Sequence, residues 1–207
     1  MIKILSLDFN GTLAEVHGLD WFWREEIPRL YAQRAPLELV RAKDIVLEEY
    51  NRIGPQRSEW YDPHFWFKRY GIEEDFTVAN MELVKITELY PDVMGFTLPV
   101  GIKLIICSRA WPELIRPVLE KAGLKPEAIF SPSVFGFAKK DSNFYLRVSK
   151  IIGEDASCFL HVGDSPEYDL AEPTKTGWFA LLMDRSNKFP NIKNRVTAFG
   201  NLTHYLA

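Results

Sequence analysis

Four short apolar runs recur along the chain, and they restrict the possible folds more than any other feature. The runs span residues 2–7, 102–107, 157–162 and 178–183. The first ends at Asp8, Asn10 and Gly11, a combination typical of a buried strand that stops in a turn. Segments of helical character, 111–122 and 143–152, lie between the later runs. This alternation predicts an α/β fold, a Rossmann-like parallel sheet with helices on its faces.

Residues 15–95 differ from the rest because they contain no comparable apolar run. Apolar residues recur at helical spacing in 38–53 and again in 77–89, and aromatic residues cluster between these two segments. We therefore expect a helical subdomain inserted after the first strand. The predicted organisation is a core of residues 1–14 and 96–207, with a helical insertion at 15–95.

Composition and charge exclude several classes of protein. The chain has 207 residues, 47% of them hydrophobic and 26% charged, as expected for one large globular domain or one domain with an insertion. The longest stretch without Asp, Glu, Lys or Arg is residues 196–207, too short to span a membrane. With a net charge of −3 and no basic run, nucleic acid is not an expected partner. The first residues do not resemble a signal peptide, so a cytoplasmic location is expected.

Two acidic residues follow predicted strands. Asp8 comes after the first run and Asp164 after the third. Open parallel sheets bind their ligands at the carboxyl ends of the strands, and two carboxylates there can share a cation. The sequence therefore predicts a cation-dependent site at this edge of the sheet.

Four stretches together resemble the motifs of the haloacid dehalogenase-like (HAD) hydrolases, in the same chain order. These are 8–13, the run ending in Ser108, Lys139, and 163–169. The stretch 136–141 is similar to the family's Gly-x-x-Lys-Pro-Asp, with Lys140 where proline is usual. The resemblance covers nearly the whole chain, and it implies that the inserted helices are the family's cap.

The resemblance also implies a nucleophile and a metal site. Asp8 would attack the substrate and form a covalent intermediate that water later hydrolyses. Mg²⁺ would be held by Asp8, Asp164 and the backbone carbonyl of Asn10, with Asp169 in support.

Further roles follow for residues around this centre. Ser108 would donate a hydrogen bond to the transferring group, and Lys139 would hold the nucleophile and neutralise developing charge. Arg109, next to Ser108, would either contact an anionic substrate or cap a helix. His161 is interpreted as a core histidine and His17 as a surface or hinge residue.

Asn10 departs from the phosphatase pattern, in which a second aspartate acts as general acid and base two residues after the nucleophile. An amide can do neither. Dehalogenases of the family also lack this aspartate, because a halide leaves without a proton, but they have usually lost part of the acidic fourth motif. Since Asp164 and Asp169 are retained, we expect a Mg²⁺-dependent hydrolase of small phosphorylated metabolites, acting on a phosphate ester or acyl phosphate. The alternatives are a hydrolytic 2-haloacid dehalogenase and a catalytically weakened protein that binds its ligand without turnover.

Overall fold

A computed structural model describes residues 1–206 and confirms the predicted α/β class. Its six strands are all parallel, in the order β3-β2-β1-β4-β5-β6. They are β1 (Ile4–Leu7), β2 (Lys103–Cys107), β3 (Ala128–Phe130), β4 (Phe159–Gly163), β5 (Phe179–Met183) and β6 (Arg195–Val196). The four predicted strands are β1, β2, β4 and β5. Strands β3 and β6 were not predicted, since runs of 3 and 2 residues carry no detectable periodicity.

The sheet is covered on both faces, which explains why its strands are continuously apolar. Successive side chains of β1 point to opposite faces, so Leu5 and Leu7 join one hydrophobic cluster and Ile4 joins the other. The helices of the core are α6 (Pro112–Lys121), α7 (Ser142–Ile152), α8 (Glu172–Lys175) and α9 (Thr203–Leu206). Helix α7 begins where the side chain of Asp141 accepts a hydrogen bond from the N–H of Phe144, at 3.1 Å.

Helices fill the segment between β1 and β2. They are α1 (His17–Trp21), α2 (Ile27–Arg34), α3 (Leu39–Ile53), α4 (Pro63–Tyr70) and α5 (Phe76–Ile86), with a π-helical turn (Phe22–Glu26) joining α1 to α2. Helices α3 and α5 correspond to the two predicted amphipathic segments. The aromatic residues between them form α4 and a short 3₁₀ turn (Ser58–Tyr61), and Trp66 packs at 4.5 Å from the ring of Tyr50. The division of the chain at residues 14 and 96 stays a prediction.

The two connections between the helical insertion and the sheet pair with each other. The N–H of Glu15 donates to the carbonyl of Glu88, and the N–H of Tyr90 donates to that of Leu13, both at 3.0 Å. Entry and exit of the insertion are therefore joined directly beyond the end of β1.

Among residues 1–206, no helix combines the length and the apolar character needed to cross a membrane.

Candidate active site

The strand order places three predicted site residues at one edge of the sheet. Strand β1 lies between β2 and β4, and Leu7 is in register with Ile106 and Val162. Asp8 directly follows β1, Ser108 follows β2 and Asp164 follows β4. This is the position at which doubly wound sheets bind ligands.

Three carboxylates meet there. Each of Asp8, Asp164 and Asp169 offers an oxygen, and the three oxygens lie within 4.8 Å of one another. Asp8 and Asp169 are 5% and 1% exposed, whereas Asp164 is exposed. The structure thus brings together the acidic residues that the sequence selected as a group.

Two glycines make this close approach possible. A Cβ on Gly11 would lie 2.2 Å from Oδ2 of Asp164, and one on Gly163 would lie 2.3 Å from Cγ of Asp169. Gly11 also has a positive φ of 74°, which other residues rarely adopt. Any side chain at either position would push a carboxylate out of the cluster.

The lysine that contacts two of these carboxylates is Lys140 rather than the predicted Lys139. Nζ of Lys140 lies 2.5 Å from Oδ1 of Asp8 and 2.5 Å from Oδ1 of Asp169, and also donates to the carbonyl of Cys107 at 3.2 Å. Lys140 is 2% exposed. Lys139 is half-buried and forms no hydrogen bond or ion pair with residues 1–206.

The physical reason for this one-residue difference is the start of α7. Asp141 caps that helix, so Lys140 immediately before it points toward the end of β1. The sequence offers two adjacent lysines, and only the position of the cap distinguishes them.

Burial and ion pairing shift the pKa values of Asp8, Asp169 and Lys140 in opposite directions. Burial raises the pKa of Asp8, and the Lys140 ammonium offsets only part of that rise. Burial also disfavours the ionised form of Asp169, but Lys140 and His161 outweigh it and hold the pKa of Asp169 below its usual range. For Lys140, burial lowers the pKa, yet the charges of Asp169 and Asp8 outweigh it and raise the pKa. The stable arrangement is a charged lysine between two carboxylates.

The remaining groups fit a hard divalent cation. Although the residue as a whole is exposed, partial desolvation of its carboxyl group and the charges of Asp8 and Asp169 raise the pKa of Asp164 to about 6, a sign of unrelieved negative charge. Oδ1 of Asn10 is buried and has no hydrogen-bond partner within residues 1–206. Carboxylate and amide oxygens are the ligands that Mg²⁺ prefers, so these side chains fit the predicted ion, for which the predicted ligand at Asn10 is the backbone carbonyl.

A network of hydrogen bonds through His161 positions the carboxylate of Asp169. Nε2 of His161 lies 3.0 Å from Oδ1 of Asp169 and 3.1 Å from the Tyr145 hydroxyl, and Nδ1 lies 2.8 Å from Oγ of Ser6. Burial lowers the pKa of His161, so the ring is neutral at neutral pH. His161 is buried, as predicted for a core histidine, but it also contacts the site, which its apolar neighbours in the sequence did not indicate.

Ser108 and Arg109 face the same cavity. Ser108 is buried, and its Oγ accepts a hydrogen bond from the N–H of Ala110 at 3.4 Å, which leaves the hydroxyl proton available. The Arg109 guanidinium lies 5.7 Å from the ring centre of Tyr61 and 5.5 Å from that of Tyr168. Within residues 1–206, no carboxylate pairs with Arg109.

The cavity lies between the sheet edge and the helical insertion, and its volume is about 400 Å³. The sheet side contributes the predicted residues other than Lys139, together with Lys140, Ser165 and Tyr168. The insertion contributes Asp20, Trp23, Trp60 and Tyr61, among others. His17 is exposed and does not line this cavity.

The fold and this group of residues identify the class of protein. The chain belongs to the haloacid dehalogenase-like hydrolases, whose family model matches residues 2–172. It is 23% identical over 169 residues to the GMP/IMP nucleotidase YrfG of Escherichia coli K12, a match that covers 79% of this chain and 75% of that protein.

Solved structures share the fold. An HAD phosphatase from Thermococcus onnurineus aligns with a TM-score of 0.76 at 18% identity, over 100% of this chain and 98% of that one. A 2-haloacid dehalogenase from Pseudomonas syringae pv. tomato DC3000 aligns with a TM-score of 0.61 at 20% identity, also over 100% and 98%. The chain is therefore a hydrolase of this family, and the same fold serves both phosphatases and dehalogenases.

Proposed function

We propose that the protein is a Mg²⁺-dependent phosphatase of small phosphorylated metabolites that acts through an aspartyl-phosphate at Asp8. The observation that carries this proposal is the cluster of Asp8, Asp164 and Asp169, whose oxygens lie within 4.8 Å of one another with a single lysine to balance them. Three carboxylates around one ammonium leave a negative charge that a divalent cation would neutralise. A site that catalyses only hydrolytic dehalogenation needs no such excess of negative charge.

The nucleophile of the proposed reaction is the free oxygen of Asp8. Lys140 binds Oδ1, which leaves Oδ2 to attack phosphorus while the bond to the leaving-group oxygen breaks. Asp8, Asp164 and the carbonyl of Asn10 would hold Mg²⁺, with Asp169 in support. When bound, the ion supplies charge neutralisation for the approach of a phosphate dianion to a carboxylate. Ser108 would donate its hydroxyl proton to a phosphoryl oxygen, and Lys140 would stabilise charge on Asp8.

Asn10 limits which leaving groups the proposed enzyme can release. Its amide cannot protonate a leaving alkoxide or deprotonate the water that hydrolyses the aspartyl-phosphate. His17 does not line the cavity, so it does not replace the missing acid from its observed position. The proposed enzyme therefore favours leaving groups that are already stable as anions, such as aryl or acyl phosphates.

The cavity wall indicates which substrates to include in a test. Trp23, Trp60 and Tyr61 line the cavity from the helical insertion, and Arg109 lines it from the sheet side. Aromatic walls and an unpaired guanidinium suit a planar ring that carries an anion. The relative YrfG is named a GMP/IMP nucleotidase. Aryl and acyl phosphates are accordingly the first substrates to try, and purine nucleoside monophosphates represent the alkyl phosphates in the panel.

Dehalogenation of a small 2-haloacid is the second candidate, and Asn10 is the observation that favours it. In that reaction Asp8 would attack carbon, the carbon–halogen bond would break and the halide would leave without a proton. A structural neighbour is described as a 2-haloacid dehalogenase. The proposed metal site argues against this candidate, because dehalogenation needs no cation to bring two anions together.

The deciding experiment measures phosphate release over this panel and halide release from 2-chloropropionate, each with Mg²⁺ and with EDTA. The proposal predicts phosphate release that requires Mg²⁺ and is lost in Asp8→Asn. Halide release that persists in EDTA would establish the dehalogenase. Ligand binding by calorimetry without turnover of any compound would establish the weakened binding protein.

A further inference from the structure

Arg185 lies outside the cavity, two residues beyond β5, and contacts the turn that follows Asp8. Its Nη1 donates to the carbonyl of Gly11 at 3.2 Å, and its Nη2 donates to that of Thr12 at 2.9 Å. Its side chain is 20% exposed. Because two of its N–H groups donate to consecutive backbone carbonyls, this arginine fixes the orientation of both peptide planes.

The other hydrogen bonds of this turn are internal, apart from the one that the N–H of Tyr90 donates to the carbonyl of Leu13 at 3.0 Å. The N–H of Gly11 donates to the carbonyl of Ala14 at 2.8 Å, and the N–H of Leu13 donates to that of Phe9 at 2.8 Å. The N–H and C=O of one peptide point in opposite directions, so the bond from Gly11 sets the direction of the Asn10 carbonyl. Arg185 binds the next two carbonyls along the chain, those of Gly11 and Thr12, so the orientations of three consecutive carbonyls, 10–12, are fixed.

The other side of Arg185 contacts the chain returning from the helical insertion. Its Nη2 lies 3.0 Å from Oδ1 of Asp92, and its guanidinium lies 4.0 Å from the ring centre of Tyr90. Oδ2 of Asp92 in turn accepts a hydrogen bond from the N–H of Phe199 at 2.9 Å. One guanidinium therefore joins the turn after the nucleophile, the exit of the insertion and the end of the chain.

We propose that Arg185 is a positioning residue that holds the Asn10 carbonyl and the turn behind Asp8 in the geometry that binds the metal, and that it couples this turn to the exit of the insertion. The inference rests on the proposed function for its catalytic consequence. Its structural part, the rigidity of residues 11–14, can be measured by amide hydrogen exchange without substrate or metal.

Lysine would not replace this arginine. An ammonium group carries its three donors on one nitrogen, so it lacks the planar fork whose separate nitrogens reach two consecutive carbonyls and the Asp92 carboxylate. Arg185→Lys keeps the positive charge and much of the packing, so its effect reports the loss of the planar guanidinium alone. Arg185→Gln removes the charge as well.

Arg195→Gln is the matched control. Arg195 is also a partly buried arginine at this end of the sheet, with its side chain 22% exposed and Nη1 3.3 Å from Oδ2 of Asp184. It makes no hydrogen bond to the turn within residues 1–206. Any general effect of removing a paired arginine should appear equally in this variant.

The test compares the full-length wild-type protein with these three variants at a temperature where all are folded. Amide hydrogen exchange of residues 11–14, Mg²⁺ affinity by calorimetry, and kcat and KM are measured in each. We expect Arg185→Lys and Arg185→Gln to exchange these amides about tenfold faster. Mg²⁺ should bind about tenfold more weakly, the usual effect of losing a group that orients a metal ligand, and kcat should fall more than KM rises. Arg195→Gln should match the wild-type protein.

Exchange in Arg185→Lys equal to that in Arg195→Gln would overturn the inference, whatever the activity. Faster exchange with unchanged Mg²⁺ affinity and kcat would overturn its catalytic part. If the wild-type protein neither binds Mg²⁺ nor releases phosphate, the proposed function fails, and the exchange data alone decide whether Arg185 holds the turn. The two failures are therefore distinguishable.

Discussion

Nζ of Lys140 lies 2.5 Å from Oδ1 of Asp8, and both side chains are buried. Removing this ammonium leaves the carboxylate without a cation in a site that disfavours its charge. We expect Lys140→Met to lower kcat by about 10² or more, as for other preorganised charges at a reacting group. The measurement is phosphate release from the best substrate of the panel, with circular dichroism to confirm folding.

Lys139→Met is the matched control, because it removes the same group one residue away. Its kcat should stay within about twofold of wild type, since Lys139 forms no hydrogen bond or ion pair within residues 1–206. The opposite order, with Lys139→Met inactive and Lys140→Met active, would contradict the observed placement of the site lysine.

The sequence predicts the strands and the acidic residues of the site, but it does not distinguish Lys140 from Lys139. The apolar runs predicted β1, β2, β4 and β5, because a buried parallel strand must be apolar on both faces. The same runs predicted that Asp8 and Asp164 come together, because parallel strands end at one edge, and the family resemblance added Ser108. Which of Lys139 and Lys140 points inward depends on where α7 begins, and both residues precede that helix.

Contacts from distant segments were also beyond prediction. Arg185 binds the carbonyls of Gly11 and Thr12, which are more than 170 positions earlier in the chain. His161 looks like a core residue in its strand, yet it contacts Asp169. No local pattern reports such pairings, because they depend on how the segments that follow β4 and β5 come close to the end of β1.

The raised pKa of Asp164 predicts a pH dependence for Mg²⁺ binding. With a pKa of about 6 without metal, this carboxyl is protonated below pH 6 and ionised above it. Metal ligation needs the ionised form, so affinity should be constant above about pH 7 and fall as the pH decreases through 6. We expect binding at pH 5 to be about tenfold weaker than at pH 7.5.

Calorimetry in two buffers of different ionisation enthalpy measures this effect. Proton release per bound Mg²⁺ should increase from near zero at pH 8 to about 0.8 at pH 5.5. Asp164→Asn should bind Mg²⁺ weakly and without this proton release. Equal proton release in Asp164→Asn and wild type would show that another group titrates.

Asn10→Asp tests the account of the leaving group. A carboxylic acid at this position would restore general acid catalysis, which is worth about 10² or more for an alkoxide and much less for a phenolate. We expect kcat/KM to increase by that factor for alkyl phosphates and to change little for aryl phosphates. The measured quantity is the ratio of kcat/KM for the two substrate types in both proteins. An unchanged ratio would mean that another group already supplies the proton or that phosphoryl transfer is not the reaction.

Arg109 should contribute to substrate binding rather than to chemistry. It lines the cavity between Tyr61 and Tyr168, and no carboxylate of residues 1–206 neutralises it. We expect Arg109→Gln to raise KM by about tenfold with a smaller change in kcat, since the loss of a charge-assisted hydrogen bond costs about 1.5 kcal/mol or more.

Arg147→Gln is the control for this substitution. Arg147 also lies over an aromatic ring, at 6.0 Å from the ring centre of Phe135, but it does not line the cavity. Its KM should equal that of wild type. If Arg109→Gln lowered kcat alone and left KM unchanged, Arg109 would act on the transition state and not on substrate binding.

Phosphate release by wild-type protein and Asp8→Asn, each with Mg²⁺ and with EDTA, tests the central claim most directly. Asp8→Asn keeps the shape of the side chain and removes the attacking carboxylate. The account predicts Mg²⁺-dependent release by the wild-type protein, an acid-stable phosphoryl adduct on Asp8 detected by mass spectrometry after rapid quenching, and neither in Asp8→Asn. Undiminished turnover in Asp8→Asn, or turnover of a haloacid that continues in EDTA without any phosphate release, would contradict it.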